Sequence, residues 1–409
     1  MAAALAIGIL MGSYLILPTG AIPFILGALL LSIVAFWLLR HGLTAFFSLC
    51  LCFLLLGFVR SQLPTLALLP DTLLYESAML LQRTIVHLHS LGLSPTCDSL
   101  VTAMLLGSRE TLTHETIELY RHTGASHILA LSGLHLSVLF GLLNFFLLRL
   151  INYRLRYVFG WIGIAGIWGY AMLTGFPVSL CRASLMMTLL LIAEMNYIER
   201  NSWDTLGITV LCLLLLSPDM LFDVGFQLSF TAVIGILLFY RPLSRLWQPR
   251  SALLKWLWRA WSVSFAAQIF TLPLLLHYFR FFSVSGIVMS PIYILLASGI
   301  LLTAMFLMFI SLFSGGHLLK YVLETLVSVQ HSLMGGVNRL SIDKLVISEF
   351  SSTLIILWYA AMLCLLPPLW AIQPADAKPK GYRLAMFFRQ WPYLLAFLLL
   401  ITTCILQAM

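Results

Sequence analysis

Charge is what this sequence has least of. Of its 409 residues only 9% are Asp, Glu, Lys or Arg, while 61% are hydrophobic and the mean hydropathy is +1.01. A soluble domain carries about 25% charged residues, and a disordered chain combines low hydrophobicity with high net charge. The composition therefore excludes both classes and indicates a membrane protein.

Several catalytic and cofactor motifs are also missing. The seven cysteines include no C-x-x-C pair, so neither a structural zinc nor a disulfide framework is expected. The nearest approaches to H-E-x-x-H and H-x-H-x-D-H, at 114–118 and 87–92, lack required residues, and there is no P-loop. We expect no metal, no cofactor, no nuclease and no ATP-driven motor in this sequence. The first basic residue is Arg40, so no secretory signal is expected either.

Long apolar runs are what the sequence has in abundance. They are continuous rather than alternating, which favours helices over a β-barrel. About 20 apolar residues span a bilayer as a helix, and the sequence predicts an all-α polytopic membrane protein with 11–13 transmembrane helices and outer amphipathic helices. The predicted spans are 3–17, 21–39, 43–59, 127–148, 157–174, 183–197, 203–217, 224–240, 260–276, 284–298, 300–313, 352–372 and 391–407, of which 203–217 and 300–313 are short.

The distribution of Lys and Arg predicts the orientation. With the N-terminus in the cytoplasm, 14 of the 23 basic residues fall in short cytoplasmic loops and 8 on the outer side, with Arg182 inside a span. Cytoplasmic loops of membrane proteins carry an excess of Lys and Arg. We therefore expect the N-terminus inside and the C-terminus outside.

The spans and loops divide the chain into three predicted regions. Residues 1–59 form N-terminal transmembrane helices, 60–125 an outer amphipathic segment, and 126–409 the main transmembrane bundle. A second outer amphipathic stretch, 316–349, interrupts the bundle. Apolar residues recur near helical spacing in the segment 60–125, so it is expected to lie on the membrane surface.

Polar residues inside a bilayer are costly, so those within spans are informative. The first cluster runs from His127 to Ser137: Ser132 and His135 are three residues apart and are expected on one helix face. Gly133 between them permits a close backbone approach or a break. The alternative is helix packing through small residues, with both imidazoles held by neighbouring groups.

The second cluster contains one charged group. Gly175 and Pro177 predict a turn, and Arg182 follows at the start of the next helix. A guanidinium there needs a carboxylate, a carbonyl or an anionic ligand, unless the side chain extends to the membrane interface.

The third cluster joins aromatic and amide side chains. Phe226 and Phe230 share one helix face, while Gln227 and Ser229 put polar groups into the first turns of the same span. Aromatic rings beside amides suit single-stranded nucleic acid. They equally suit a helix start with core aromatics.

The fourth cluster is a polar stripe at helical spacing, followed by a proline that can kink the helix. Such a stripe on a spanning helix either lines water or joins helices. Its members are Ser264, Gln268 and Thr271.

An intramembrane serine hydrolase is one alternative for the first cluster. Ser132-Gly133 is similar to the end of the rhomboid G-x-S-G motif. However, Ala130 stands where that motif has glycine, and His135 is expected on the same helix rather than on another.

Taken in order, these clusters resemble the ComEC family of competence membrane proteins. The resemblance covers about residues 100–310. It is carried by Leu106–Glu110, Leu119–Gly124 leading into His127–His135, Pro177–Ala183, Asp223–Phe230 and Gln268–Pro273.

The resemblance implies a channel or permease in the bacterial cytoplasmic (inner) membrane that passes single-stranded DNA inward during natural transformation. It implies membrane lipid, an outer DNA receptor and a cytoplasmic helicase or ATPase as partners. The oligonucleotide-binding and metallo-β-lactamase-like domains of larger relatives are not found here, so a nuclease would be a separate protein. The alternative is a ComEC-like transporter of another solute. The pathway or packing candidates are His127, Ser132, Gly133, His135, Arg182, Phe226, Gln227, Ser229, Phe230, Ser264, Gln268 and Thr271.

Overall fold

The protein is helical throughout most of the chain described by a computed structural model. The structure describes residues 1–14, 43–62, 71–133, 135–138, 140–141, 156–198, 201–311, 316–339, 344–346 and 351–371. Four helices in these ranges are long and apolar enough to cross a membrane: Val178–Met195, Val224–Leu246, Ala252–Phe279 and Val284–Ser311. The prediction of an all-α polytopic membrane protein is confirmed. The spans predicted at 21–39 and 391–407 lie outside the described residues.

The elements follow the apolar runs closely. In chain order they are α1 Ala2–Tyr14, α2 Leu43–Gln62, α3 Asp71–Ser90, α4 Pro95–Val101, α5 His114–His122, α6 Arg156–Leu173, α7 Val178–Met195, α8 Ser202–Leu216, α9 Val224–Leu246, α10 Ala252–Phe279, β1 Phe281–Ser283, α11 Val284–Ser311, α12 His317–Arg339, β2 Lys344–Val346 and α13 Ser352–Ala371. A π-helical turn, Thr102–Leu106, continues α4, and helical residues begin again at Gly133.

The chain forms two compact units. Unit 1 comprises Met1–Leu68, Ser202–Trp247 and Glu349–Met409, and unit 2 comprises Leu69–Asn201 and Gln248–Ser348. The division into 1–59, 60–125 and 126–409 stays a prediction.

In unit 1, α1 and α2 pack through small residues. A Cβ added to Gly8 would lie 1.9 Å from the carbonyl oxygen of Leu54, and one added to Gly57 would lie 2.0 Å from that of Leu5. Small residues allow membrane helices to approach this closely. Each of these two glycines therefore fixes the contact between α1 and α2.

Arg60 near the end of α2 holds the C-terminus of α8. Its guanidinium donates to the carbonyl oxygens of Leu215 and Leu216, both at 2.7 Å. The last carbonyls of a helix have no partner within it and carry partial negative charge, so a cation there is stabilising. The contact joins the early helices to α8 within unit 1.

In unit 2, one apolar core joins segments that are far apart in the sequence. It contains Leu88, Met104 and Tyr120 from the segment 60–125, and it continues along α11 and onto one face of α12. Polar contacts reinforce it: Lys320 donates to the carbonyl of Gly92, and the Ser94 amide donates to the Glu324 carboxylate at 3.1 Å. The two amphipathic stretches predicted separately therefore pack together on α11.

Two predicted spans near residue 299 are one helix. The sequence placed a break between 284–298 and 300–313, but α11 is continuous from Val284 to Ser311. Because backbone groups in a membrane are satisfied only within the helix, Gly299 and Pro291 are accommodated without ending it. The prediction of two helices here was wrong.

A short β-ribbon closes this part of unit 2. Strand β1 pairs antiparallel with β2, with Phe281 opposite Val346 and Ser283 opposite Lys344. After α11 and α12 the chain has therefore returned to the N-terminal end of α11. No strand was predicted from the sequence.

Candidate functional site

The first two motif clusters lie beside each other in unit 2. The hydroxyl of Ser179, in the first turn of α7, donates to the carbonyl oxygen of Leu131 at 2.7 Å. A Cβ added to Gly133 would lie 3.4 Å from that of Ala183, an ordinary van der Waals contact. The segments around Ser132 and Arg182, predicted independently, thus form one site.

Ser132 and His135, three residues apart at the start of one helix, contact each other. Ser132 directly precedes the helical residues that begin at Gly133, and its carbonyl oxygen accepts the Leu136 N–H at 3.4 Å, so Ser132 is the N-cap of this helix. The backbone N–H of Ser132 donates to Nδ1 of His135 at 3.2 Å, and its Oγ lies 3.0 Å from the same nitrogen. The imidazole therefore caps the start of this helix.

The two histidines of this cluster have different surroundings. His135 is 0% exposed, and its Nε2 has no hydrogen-bond partner among the described residues. His127, in the 3₁₀ turn Ser126–Ile128, is exposed. Of the two residues, His127 is the one that lies at the surface of the structure.

Arg182 is buried within unit 2. Only 4% of the residue is exposed, on a helix whose neighbouring face packs into a core with Leu136 and Ile167. A guanidinium that extends to the interface leaves its charged end in water. The burial of Arg182 favours the alternative in which the protein itself surrounds the charge.

Helix α6 fixes this site from a second side. Trp168 donates from its indole nitrogen to Oγ1 of Thr188 on α7 at 3.1 Å, and the Tyr170 hydroxyl donates to the Leu105 carbonyl at 2.7 Å. These bonds join α6 to α7 and to the π-helical turn. The site is therefore held by three elements of unit 2.

The third cluster forms a corner in unit 1. Asp223 accepts the Phe226 N–H at 2.6 Å and so caps α9, while the Gln227 amide donates to the Leu221 carbonyl at 3.1 Å. Phe226 and Phe230 are buried with ring centroids 4.4 Å apart. Phe226, Gln227 and Phe230 thus make packing contacts, and Ser229, two residues beyond Gln227, is half-buried.

The polar stripe on α10 is mostly buried. Ser264 and Thr271 are buried, whereas Gln268 is half-buried. The Thr271 hydroxyl donates to the Ala267 carbonyl of its own helix at 3.0 Å. Of the three, Gln268 keeps the most accessible polar group.

The sequence alone did not identify three residues that hold helices together in unit 1, namely Gly8, Gly12 and Arg60. Gly8 and Gly12 form a G-x-x-x-G pattern that could have been read as a packing face. The role of Arg60 could not be predicted, because its partners are backbone carbonyls more than 150 residues away in the sequence.

Metal ligands are not clustered in the part of the chain that the structure describes. No group of three or more His, Cys, Asp or Glu residues there could hold a metal ion. The expectations of no cofactor and no metal stay predictions.

Comparison with known proteins identifies the family. A family model described as Competence protein matches residues 104–371. Two relatives are the ComE operon protein 3 of Bacillus subtilis, 30% identical over 54% of this chain and 27% of its own length, and the Recombination protein 2 of Haemophilus influenzae, 30% identical over 51% and 28%. An uncharacterized Mycoplasma pneumoniae protein is 33% identical over 31% of this chain and 32% of its own length.

The matched region is thus less than a third of the length of each of these relatives. No solved structure is significantly similar to the chain. The family match covers more than half of the chain and contains all four polar clusters, which confirms the resemblance drawn from the motifs. The chain belongs to the Competence protein family.

Proposed function

We propose that this chain is a channel or permease of the bacterial inner membrane that passes single-stranded DNA into the cytoplasm during natural transformation. The observation that carries the proposal is the family match over residues 104–371. The printed names of two relatives, a ComE operon protein and a recombination protein, support it.

The chemistry of the substrate fits the scarcity of charge in the spans. Each nucleotide brings a negative charge, which requires a hydrated polar path through the hydrocarbon. Acidic side chains would repel the strand, whereas neutral polar groups tolerate it. Uptake that accepts any sequence relies on backbone attraction and stacking, not on base reading.

Exposure divides the candidates into two groups under this proposal. We assign His127 and Gln268, both in unit 2, to the path, because these residues are exposed or half-buried, and Ser229, half-buried in unit 1, stays a separate candidate. We assign a packing role to the buried candidates and to Ser132 and Gly133, which are half-buried at the start of a helix. The packing group comprises Ser132, Gly133, His135, Phe226, Gln227, Phe230, Ser264 and Thr271, and Arg182 is held within the protein beside them.

The energy for transport would come from another protein. The sequence has no P-loop, so the proposal includes a cytoplasmic helicase or ATPase that pulls the strand, an outer DNA receptor and a separate nuclease. It also includes an orientation with the N-terminus inside and the C-terminus outside.

A transporter of another solute is the second candidate. The observation that favours it is the modest identity of 30% to the two named relatives.

Transformation frequency in an in-frame deletion strain separates the two candidates. The DNA channel predicts a loss of transformation that the intact gene restores in trans. It further predicts that Gln268→Leu lowers the frequency at normal protein level, whereas the buried control Thr271→Val does so less. A deletion strain that transforms normally would favour the other solute.

A further inference from the structure

One arginine stands between two pairs of aromatic residues where α10 ends and α11 begins. The sequence there is Tyr278-Phe279-Arg280-Phe281-Phe282. Phe279, the last residue of α10, is 52% exposed, and Arg280 is exposed with a left-handed backbone, φ 53°. The turn at Arg280 redirects the chain from α10 into β1. Phe279 and Arg280 are consecutive residues, and both are exposed on unit 2.

Helix α5 supplies a second guanidinium to the same place. The Arg121 side chain is 50% exposed, and its guanidinium carbon lies 5.6 Å from the centre of the Phe281 ring. The His122 ring meets Phe281 edge-on with centroids 5.5 Å apart. The cation is therefore placed over an aromatic face while half of its side chain stays accessible.

One carboxylate faces these groups. Glu118 lies 3.3 Å from Arg121 and 3.3 Å from His122. Arg121 and Arg280 together carry two positive charges against the one negative charge of Glu118. We name the set Arg121, Phe279, Arg280 and Phe281 the arginine–aromatic patch.

The patch is held in place and lies next to the first motif cluster. Gly124 and Gly286 touch closely, since a Cβ added to Gly124 would lie 2.8 Å from the Gly286 Cα. This contact fixes α5 against the start of α11. Three residues after Gly124 comes His127, the exposed histidine assigned above to the path.

We propose that the arginine–aromatic patch is the surface on which single-stranded DNA docks before it enters the membrane part of the protein, an inference that rests on the proposed function. Guanidinium groups attract phosphates, and exposed rings stack on bases regardless of sequence. A surface that offers both cations and rings suits a strand that carries both charged phosphates and bases. By the charge distribution of the sequence, Arg121 and Arg280 belong to the outer side, where the strand arrives.

Binding of a fluorescent oligothymidine of 20 nucleotides to the full chain in nanodiscs tests the inference by fluorescence anisotropy. Arg280→Ala and Arg121→Ala should each weaken binding about threefold or more and reduce the slope of log affinity against log salt by about 0.7. Phe279→Ala should weaken binding about fivefold or more through lost stacking. Matched controls are Arg83→Ala and Tyr75→Ala, an exposed arginine and an exposed tyrosine on α3.

Arg280→Lys keeps the charge and should retain most of the affinity, and unchanged melting temperatures show that the variants are folded. Affinities equal to those of the two controls overturn the inference, as does a wild-type protein that binds no oligonucleotide. Variants that lose only attachment to anionic lipid also overturn it and assign the patch to the membrane interface. A deletion strain that still transforms would contradict the proposed function itself. A deletion strain that loses transformation, together with patch variants that bind DNA normally, would contradict only the docking surface.

Discussion

Ser132 and His135 show how one contact is compatible with two chemical roles. The 3.0 Å distance from Oγ to Nδ1 is that of a nucleophile and its base. However, Nδ1 also accepts the Ser132 backbone N–H, and the Nε2 that an orienting acid would contact has no hydrogen-bond partner among the described residues. These contacts favour a helix cap, and we propose no hydrolase.

Cys97 offers a pH-dependent test at the residue scale. Burial, reinforced by the carboxylates of Glu324 and Asp98 and opposed by Lys320, raises the pKa of the Cys97 thiol from 9.0 to about 12. A pKa raised by folding means that the protonated thiol favours the folded state, and this contribution is lost as the pH rises from 9 towards 12.

Since only the thiolate is nucleophilic, alkylation of Cys97 at pH 8 should be about a thousandfold slower in the folded protein than in the denatured protein. Peptide mapping by mass spectrometry after a short pulse of a water-soluble maleimide measures the rate at this site alone. Equal rates in the two states would contradict the burial and charge of this site.

At the scale of elements, the corner at the start of α9 depends on Gln227. Gln227→Leu removes the donor to the Leu221 carbonyl inside a buried site. An unsatisfied buried acceptor costs about 1–3 kcal/mol, so the melting temperature in detergent should fall. Ser229→Ala, two residues away and half-buried, should leave it nearly unchanged. Lost transformation at unchanged melting temperature would instead place Gln227 in the path.

The contact between α5 and α11 depends on glycine. A Cβ in Gly286→Ala would lie 2.9 Å from the Gly124 Cα and 3.2 Å from the Thr123 carbonyl oxygen. Overpacking of this kind costs about 1–3 kcal/mol. Gly299→Ala on the same helix meets its nearest neighbour at 3.6 Å and should be neutral or slightly stabilising. Thermal unfolding of both variants measures the difference, and equal losses would contradict this packing.

The elements also show what a sequence can and cannot predict. Helix bounds such as Ser202–Leu216 and Ser352–Ala371 follow from apolar runs, because a bilayer permits little else. The packing of α12 onto the segment 60–125 and the ribbon of β1 and β2 depend on contacts between distant residues. Periodicity shows that α12 has an apolar face but not what covers it.

The candidate site was predicted only in part. The order of the polar clusters identified the family, since several motifs in sequence are more specific than any one of them. Their burial could not be foreseen: Gln227 and Gln268 have the same side chain, yet one is buried and hydrogen-bonded while the other is half-exposed. That difference is set by tertiary packing around each helix.

For the whole molecule, the pairing of β1 with β2 bears on orientation. Merging two predicted spans into α11 would reverse the predicted side of everything that follows. Val346 lies opposite Phe281, so after α12 the chain has returned to the end of α11 at which that helix begins. The segments that follow therefore keep the membrane side predicted for them. A C-terminal alkaline phosphatase fusion should therefore be active and a C-terminal green fluorescent protein fusion dark, and the opposite pattern would contradict an outer C-terminus.

We propose that this bundle is the route by which a DNA strand crosses the inner membrane. The most direct measurement is the amount of labelled DNA that becomes protected from added nuclease inside intact cells, compared between the deletion strain and the complemented strain. We predict that the deletion strain binds DNA at its surface as usual but accumulates no protected label, and that the intact gene restores it. Protected label at the wild-type level in the deletion strain would contradict the account.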